Sequence, residues 1–191
     1  MDKLDINKLP DEIIQLAITF LPVKELVTCS LVSKKFKKMS SQDYIWKHRC
    51  KVRWESKLYY NLTPERERKF ANMWIPWKEI YFTQERDARR NRIKEREVIE
   101  MEWQLIFKHE PMMMYTNSDK NVHLVKFTAD KRFLMEGFPP MTWRLTEDHG
   151  IQVNQFPEHT ASRRANDWGW NLENHYVVIS NIAPQPASNN N

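Results

Sequence analysis

The chain has 191 residues, of which 41% are hydrophobic and 12% aromatic, so it is long enough for one or two domains with a hydrophobic core. Its 3 Gly argue against a Gly-rich phosphate-binding loop. The net charge of +5 comes from residues 1–102, which hold 22 of the 30 Lys and Arg and 16 of the 25 Asp and Glu. The nearly neutral remainder, residues 103–191, predicts a second unit with a different surface.

Cysteine use and hydropathy predict an intracellular protein. The two cysteines, Cys29 and Cys50, lie in helix-like segments without C-x-x-C spacing, which favours a reducing compartment. No stretch approaches the roughly 18 apolar residues of a membrane span, and the acidic amino terminus has no apolar signal-peptide core. We therefore expect a soluble protein of the cytoplasm, the nucleus or both.

The first half of the chain predicts helices. Residues 1–50 are divided by Pro and capping residues into three short helical segments. Residues 51–102 predict a helical extension followed by a charged helix over 84–102. That last segment carries 6 basic and 6 acidic residues, a pattern typical of a solvated helix that links two packed units.

The first helix carries more apolar side chains than a surface helix needs. At about 100° per residue, the apolar residues between Pro10 and Pro22 span an arc of about 200°. A surface helix needs a stripe only about 100° wide or slightly wider. This helix must therefore bury two faces, and a unit of about 45 residues buries little surface by itself. Either residues 55–182 or another protein must cover the second face.

The second half of the chain predicts strands. Six short segments are rich in β-branched or aromatic residues: WQLIFK, VHLVKFT, RFLME, MTWRLT, IQVNQF and HYVVIS. Alternation in VHLVKFT predicts Val122, Leu124 and Phe127 on one face, and TADKR predicts a tight turn. A spacing of roughly ten residues predicts an antiparallel meander curled into a barrel or sandwich. The fold class is therefore α+β, and the polar residues 183–191 predict a disordered tail.

The amino-terminal segment LPDEIIQLAITFLPVKELVTCSLVSKKFKKMSSQDYIWK resembles the F-box. In that family Leu-Pro-x-Glu precedes aliphatic pairs, then Leu-Pro-x-x-x-Leu, then Leu-Val-Ser/Cys-Lys/Arg-x-aromatic, and later a Trp. Order and spacing agree throughout residues 8–47, although the aromatic residue after the basic pair is usually Trp and here is Phe36. The matching positions include Leu9, Pro10, Glu12, Ile13, Ile14, Ile18, Leu21, Pro22, Leu26, Leu31, Val32, Ser33, Lys34 and Trp46.

This resemblance implies a partner. F-boxes are trihelical units that dock on the adaptor subunit of SCF ubiquitin ligases, which in turn holds the cullin and RING subunits. We expect much of the adaptor-facing surface to come from eight residues: Leu9, Pro10, Ile13, Leu21, Pro22, Leu26, Leu31 and Val32. The sequence does not decide which of them face the adaptor and which face the protein's own core.

F-box proteins usually pair this module with a substrate-recruiting domain, a position that residues 103–182 occupy. These residues have neither WD40 nor leucine-rich signatures, and their pattern is similar at fold level to a small β-barrel or lipocalin-like sheet. Their most distinctive segment is NDWGWNLEN, where two tryptophans in an extended strand would share one face. The tryptophans either fill the barrel core or line an arginine-bearing recess for an acidic peptide or a glycan. The candidate substrate-binding residues are Arg163, Arg164, Trp168 and Trp170.

Other function classes have weaker support. The six His show no convincing metal-ligand spacing, and Ser162, Asp167 and His175 lack a nucleophile elbow. The 9 Lys and Arg of residues 34–57 fit the solvated face of a helix better than a nucleic-acid surface. We therefore expect no catalytic residue, no metal and no cofactor.

The sequence thus predicts the non-catalytic substrate-recognition subunit of an SCF-type E3 ubiquitin ligase, which recruits a protein client for ubiquitination. Two alternatives are an F-box scaffold that acts without ubiquitination and a glycan-binding F-box receptor. The predicted domains are an F-box over 1–50, a helical extension with a charged linker helix over 51–102, a β domain over 103–182 and a tail over 183–191.

Overall fold

The computed structural model describes residues 9–108 and 122–183. Within them helices come first and strands follow, so the predicted α+β class is confirmed. No helix of the described residues is long and apolar enough to span a membrane. The helices are α1 (Asp11–Phe20), α2 (Val23–Val32), α3 (Lys34–Ser40), α4 (Asp43–Trp54), α5 (Pro64–Ala71), α6 (Trp77–Ala88) and α7 (Glu95–Glu100).

The strands of the described residues are β1 (Glu102–Phe107), β2 (Val122–Phe127), β3 (Arg132–Met135), β4 (Met141–Leu145), β5 (Ile151–Val153), β6 (Thr160–Arg163), β7 (Trp170–Glu173) and β8 (Val177–Ile182). These eight strands form one antiparallel sheet in the order β5-β4-β3-β2-β1-β8-β7-β6. An antiparallel bridge joins Ile151 of β5 to His159, the residue directly before β6, so the sheet is a nearly closed barrel.

Contacts divide the chain into two compact units. The first consists of Met1–Glu55 and Leu62–Glu85, and the second of Ser56–Asn61 and Arg86–Asn191. The segment 56–61, expected from the sequence to belong to a helical extension, therefore belongs with the β strands.

Aromatic side chains form the core of the first unit. Trp46 and Trp54 are fully buried, and both contact Tyr81 of α6, with ring centroids 5.4 Å and 6.1 Å apart. The indole Nε1 of Trp46 donates a hydrogen bond to the backbone oxygen of Ser40, 2.7 Å away, so its polar atom is paired inside the core. These contacts hold α3, α4 and α6 together.

The core of the second unit fills the interior of the barrel. Trp103, Trp143 and Trp170 are all buried there, among aliphatic and aromatic side chains of the other strands. Ile93 and Val98, from before and within α7, belong to the same core. The polypeptide preceding β1 is therefore part of the β unit.

The prediction of one linker helix over 84–102 is wrong. Helix α6 ends at Ala88, α7 begins at Glu95, and β1 begins at Glu102. Burial explains the break, because Ile93 and Val98 must both enter the apolar core. The charged side chains that suggested a solvated helix form ion pairs within the second unit instead, as between Arg90 and Asp87.

Each of the six segments predicted as strands contains a strand. Two further strands, β6 and β7, were not predicted, because their sequences TASR and WNLE are short and largely polar. The predicted face of β2 is wrong for Val122 and Leu124, which are exposed, whereas Phe127 is buried together with Val125. The turn at TADKR is confirmed by a hydrogen bond from the Thr128 amide to the Arg132 oxygen. Residues 184–191 of the predicted tail lie outside the described residues.

Candidate functional site

Helix α1 has two apolar faces, as the sequence predicts. Ile14 and Ile18, one turn apart, are buried in the first unit. Ile13, Leu16 and Phe20 recur at helical spacing on the other side and are exposed, Phe20 at 76%. The described residues of the first unit therefore leave the second face exposed, and we call these three residues the outer stripe.

The carboxyl end of α2 carries a second exposed apolar pair. Leu31 is 81% exposed and Val32 is 66% exposed, whereas Leu26 of the same helix is fully buried. Solvent exposure of five large apolar side chains on two short helices is costly unless a partner covers them. The outer stripe and this pair are the candidate binding surface of the first unit.

A partly buried cation fixes the end of α1. The guanidinium Nη2 of Arg49 on α4 donates to the backbone oxygens of Thr19 and Leu21, at 2.8 Å and 2.6 Å. Carbonyl groups at a helix carboxyl terminus have no partners within the helix and carry partial negative charge, so a cation there is favourable. Arg49 thus holds the end of α1 on which Phe20 lies.

The eight residues predicted from the sequence divide between surface and core. Pro10, Ile13, Pro22, Leu31 and Val32 are exposed, Leu9 and Leu21 are half-buried, and Leu26 is buried. Leu26 cannot contact a partner without rearrangement, so its side chain serves the protein's own core in this structure. Leu16 and Phe20 were not predicted as surface residues, although their positions beside Ile13 on the helical wheel carried the signal.

In the second unit, Arg163 lies among charged and aromatic groups of the same unit. Its guanidinium lies 4.1 Å from the ring centre of Trp170 and donates to the hydroxyl of Tyr60 at 3.0 Å. It also lies 3.5 Å from the carboxylate of Glu97 and 3.8 Å from that of Asp87. Arg163 is therefore engaged by internal partners, its side chain is only 9% exposed, and this partial burial lowers its pKa.

Arg164 organises the turn between β6 and β7. It binds Asp167 through two hydrogen bonds of 2.9 Å and 3.0 Å, and the amide of Gly169 donates to the same carboxylate. A Cβ at Gly169 would lie 2.1 Å from the Arg164 guanidinium, so a glycine is needed for this close approach. Asp167 is consequently not free to orient a catalytic histidine.

The two tryptophans of NDWGWNLEN lie in different places. Trp168 has a positive φ of 59° and ends the turn, so the two indoles do not share the face of one strand. Trp168 packs edge-on against Tyr60, while Trp170 is fully buried in the barrel core with Trp103 and Trp143. This geometry favours the core interpretation of Trp170 over an open recess.

The amino-terminal helices lie in a region that is similar to a known protein family. A family model described as F-box-like matches residues 6–52. The chain carries an F-box-like domain. No curated protein and no solved structure matches the chain.

The F-box-like match covers α1, α2, α3 and most of α4. F-box domains in general bind the adaptor subunit of SCF complexes, so the match indicates an SCF-type adaptor role for this region. F-box proteins are generally non-catalytic subunits. Both the outer stripe and the exposed pair at the end of α2 lie within the F-box.

Proposed function

We propose that this chain is a substrate-recruiting subunit of an SCF-type ubiquitin ligase, whose F-box docks on the adaptor subunit and whose β domain holds a protein client. The observation that carries the proposal is the outer stripe of α1, which is exposed within a segment matching the F-box-like model. Burying a side chain such as Phe20 at an interface contributes about 1.5–3 kcal/mol. The adaptor would supply the cover that the helix lacks.

The proposed mechanism is proximity. A client held by the β domain and an adaptor held by the F-box belong to one assembly with the cullin and RING subunits. Tethering then raises the effective concentration of client lysines near a ubiquitin-charged enzyme. The chain needs no catalytic group for this, and the complex would act in the cytoplasm or the nucleus.

Client recognition belongs to the β domain in this proposal. The residues predicted for it, Arg163, Arg164, Trp168 and Trp170, stay a prediction. Arg163 forms internal ion pairs, and Trp170 is fully buried. These observations support a structural role for the two residues more strongly than a contact with a client.

The docking step is tested by pulling down the purified adaptor with variants of the outer stripe. Leu16→Asp and Phe20→Asp each place a charge where an apolar contact is expected, so binding should weaken at least about tenfold. The side chains of both residues are exposed, so the helical circular dichroism should not change. Leu26→Asp is unsuitable because it would place a charge in the core.

A matched control is Trp74→Asp. Trp74 is 94% exposed in the same unit but lies outside the F-box-like match, and its φ of 54° is tolerated better by Asp than by Trp. This variant should bind the adaptor like the wild type. Full adaptor binding by folded Leu16→Asp and Phe20→Asp would refute the docking step.

The recruiting step is tested with the full chain in cells. Affinity capture with wild type and Phe20→Asp, with and without proteasome inhibition, should retrieve the same clients. Clients captured with the wild type should accumulate when the proteasome is inhibited. Clients captured with Phe20→Asp should be stable even without the inhibitor. Clients that are insensitive to both changes would instead support a scaffold that acts without ubiquitination. Clients lost after deglycosylation would support the glycan-binding alternative.

A further inference from the structure

One end of the barrel-like sheet contains an apolar cavity of about 450 Å³. Its wall is formed by side chains of five strands, among them Leu105, Phe133, Met135, Met141, Val153 and Ile179. Most of these are buried and belong to, or pack against, the core of the second unit. The cavity is thus a continuation of the core that the side chains of residues 9–108 and 122–183 do not fill.

The topology of the sheet places the mouth of this cavity at one end. In an antiparallel meander, alternate connections lie at the same end, so the loops 136–140, 154–158 and 174–176 cluster there. Each of these loops contributes a large exposed side chain to the cavity lining: Phe138, Phe156 and Tyr176. Three exposed aromatic residues therefore surround an apolar interior.

Two polar side chains of the described cavity lining, Asn174 and His159, are already paired. Asn174 donates to the oxygen of Pro157 and the Nε2 of His159, at 3.1 Å and 3.2 Å, and accepts from the amides of Tyr176 and Val177. His159 is buried, which lowers its pKa and keeps it neutral, and its Nδ1 donates to the oxygen of Ile151 at 3.1 Å. All four hydrogen-bonding positions of the Asn174 amide and both His159 nitrogens are occupied. An occupant of the cavity therefore finds no free donor or acceptor on them.

These features select the chemistry of the occupant. A polypeptide segment entering the cavity would bury backbone N–H and C=O groups without partners, which costs several kcal/mol. A single client side chain would leave most of the space empty, because a cavity of roughly 150 Å³ already accommodates benzene. The volume instead lies within the range of about 300–1,000 Å³ that is typical of sites for small molecules, and the mouths of β-barrels are common places for them.

We propose that the β domain binds a small lipophilic molecule, with an aliphatic chain or fused rings inside the barrel and its polar end in water among Phe138, Phe156 and Tyr176. The inference goes beyond ligase function and does not depend on it. The ligand is recognised by apolar area and shape, since Asn174 and His159 are engaged by other groups of the protein.

The test uses the full chain and a neutral fluorescent probe, N-phenyl-1-naphthylamine, with dodecanol and hexadecanoic acid as competitors. The wild type should bind the probe saturably with one site per chain, and both competitors should displace it. Met141→Trp fills the cavity from β4 and should weaken binding about tenfold or more, because it occupies the apolar space that drives binding. Val153→Phe fills it from β5 and should have the same effect if the first variant does not fold.

The matched control is Leu124→Trp, which adds a Trp to an exposed strand position outside the cavity lining. It should bind the probe like the wild type. The inference is overturned if the wild type shows no saturable binding, or if folded Met141→Trp and Val153→Phe bind the probe as tightly as the control. A dimer that dissociates on Phe156→Ser would place a second copy of the chain over the mouth and would also overturn it.

Discussion

The guanidinium of Arg163 lies 4.1 Å from the ring centre of Trp170, which is fully buried in the second unit, and the Arg163 side chain is itself largely buried. The same guanidinium reaches the Tyr60 hydroxyl and the Glu97 carboxylate. Segments far apart in the sequence, 56–61, α7 and the β6–β7 hairpin, therefore meet at one cation. An arginine suits this place because its planar guanidinium can stack on an indole and donate several hydrogen bonds together.

Removing this cation should destabilise the second unit. Arg163→Ala leaves the Tyr60 hydroxyl and the Glu97 carboxylate with fewer partners, so we expect the free energy of unfolding to fall by about 2–4 kcal/mol. Arg163→Lys should recover only part of the lost free energy of unfolding, because an ammonium group cannot stack on the indole while it donates hydrogen bonds to both partners. The change in the free energy of unfolding is measured by urea unfolding, monitored through the hydrogen exchange of peptides from 86–108 and 122–183.

The control for this prediction is Arg144→Ala. Arg144 is exposed on β4, where its guanidinium donates to the side chain of Gln152, so its loss should change the free energy of unfolding by no more than about 0.5 kcal/mol. Unchanged unfolding of Arg163→Ala together with lost client binding would contradict the structural role and support the arginine recess instead.

The sequence predicts the helical half, the strand-rich half and most strands because the period of apolar residues changes at about residue 103. It fails where tertiary contacts override local pattern. Residues 84–102 look like one charged helix, yet the requirement to bury Ile93 and Val98 breaks it. In β2 both faces offer apolar residues, so alternation alone does not select Val125 and Phe127.

The candidate sites differ in how far the sequence predicts them. The arc of α1 predicts two apolar faces, and the structure shows them, because helical geometry alone decides which residues share a side. The sequence does not predict that Leu26 of α2 is buried, since its burial depends on the packing of α2 against α3. The cavity could not be predicted either, because its lining comes from strands whose pairing the sequence does not specify.

Acid should weaken the second unit through Asp87. Burial alone would raise the pKa of this carboxyl, but hydrogen bonds from Arg90 and Tyr60 outweigh it and hold the pKa at about 2, against an ordinary value of 3.8. Because the folded-state pKa is the lower one, the stabilisation is complete above pH 4 and is lost as the pH falls towards 2. The loss should be about 1–2 kcal/mol, since the group is partly exposed.

Urea unfolding at pH 5 and at pH 2.5 measures this effect. Asp87→Asn should be less stable than the wild type at pH 5, and the difference between the two proteins should shrink at pH 2.5. Asp148→Asn is the control, because Asp148 is exposed in the turn between β4 and β5 and its removal should leave the acid sensitivity of the wild type nearly intact. An equal difference between Asp87→Asn and wild type at both pH values would contradict the prediction.

The two cysteines should differ in reactivity. Burial raises the pKa of the Cys50 thiol to about 12, so almost no thiolate is present at pH 8, and the side chain is inaccessible. Cys29 is partly exposed. Iodoacetamide should therefore modify Cys29 in the folded chain and both cysteines in urea, as measured by mass spectrometry of the peptides. Equal labelling of the two in the folded chain would show that the core around Cys50 opens readily.

The two faces of α1 should separate stability from binding at adjacent positions. Ile14 is 4% exposed and Ile13 is 51% exposed, so a substitution by Ala tests the core at Ile14 and the outer stripe at Ile13. Ile14→Ala should lower the free energy of unfolding of the first unit by about 2–4 kcal/mol, because it leaves a cavity. Ile13→Ala should lower it by less than about 1 kcal/mol, since little buried area is lost.

Adaptor affinity should show a different order. Among folded proteins at a temperature well below the unfolding transition, Ile14→Ala should bind the adaptor like the wild type, whereas Ile13→Ala should bind several-fold more weakly. Hydrogen exchange of peptides from 9–55 reports the stability, and calorimetric titration with the purified adaptor reports the affinity. If both substitutions weakened binding in proportion to the stability that they remove, the outer stripe would act through folding and not as a contact surface.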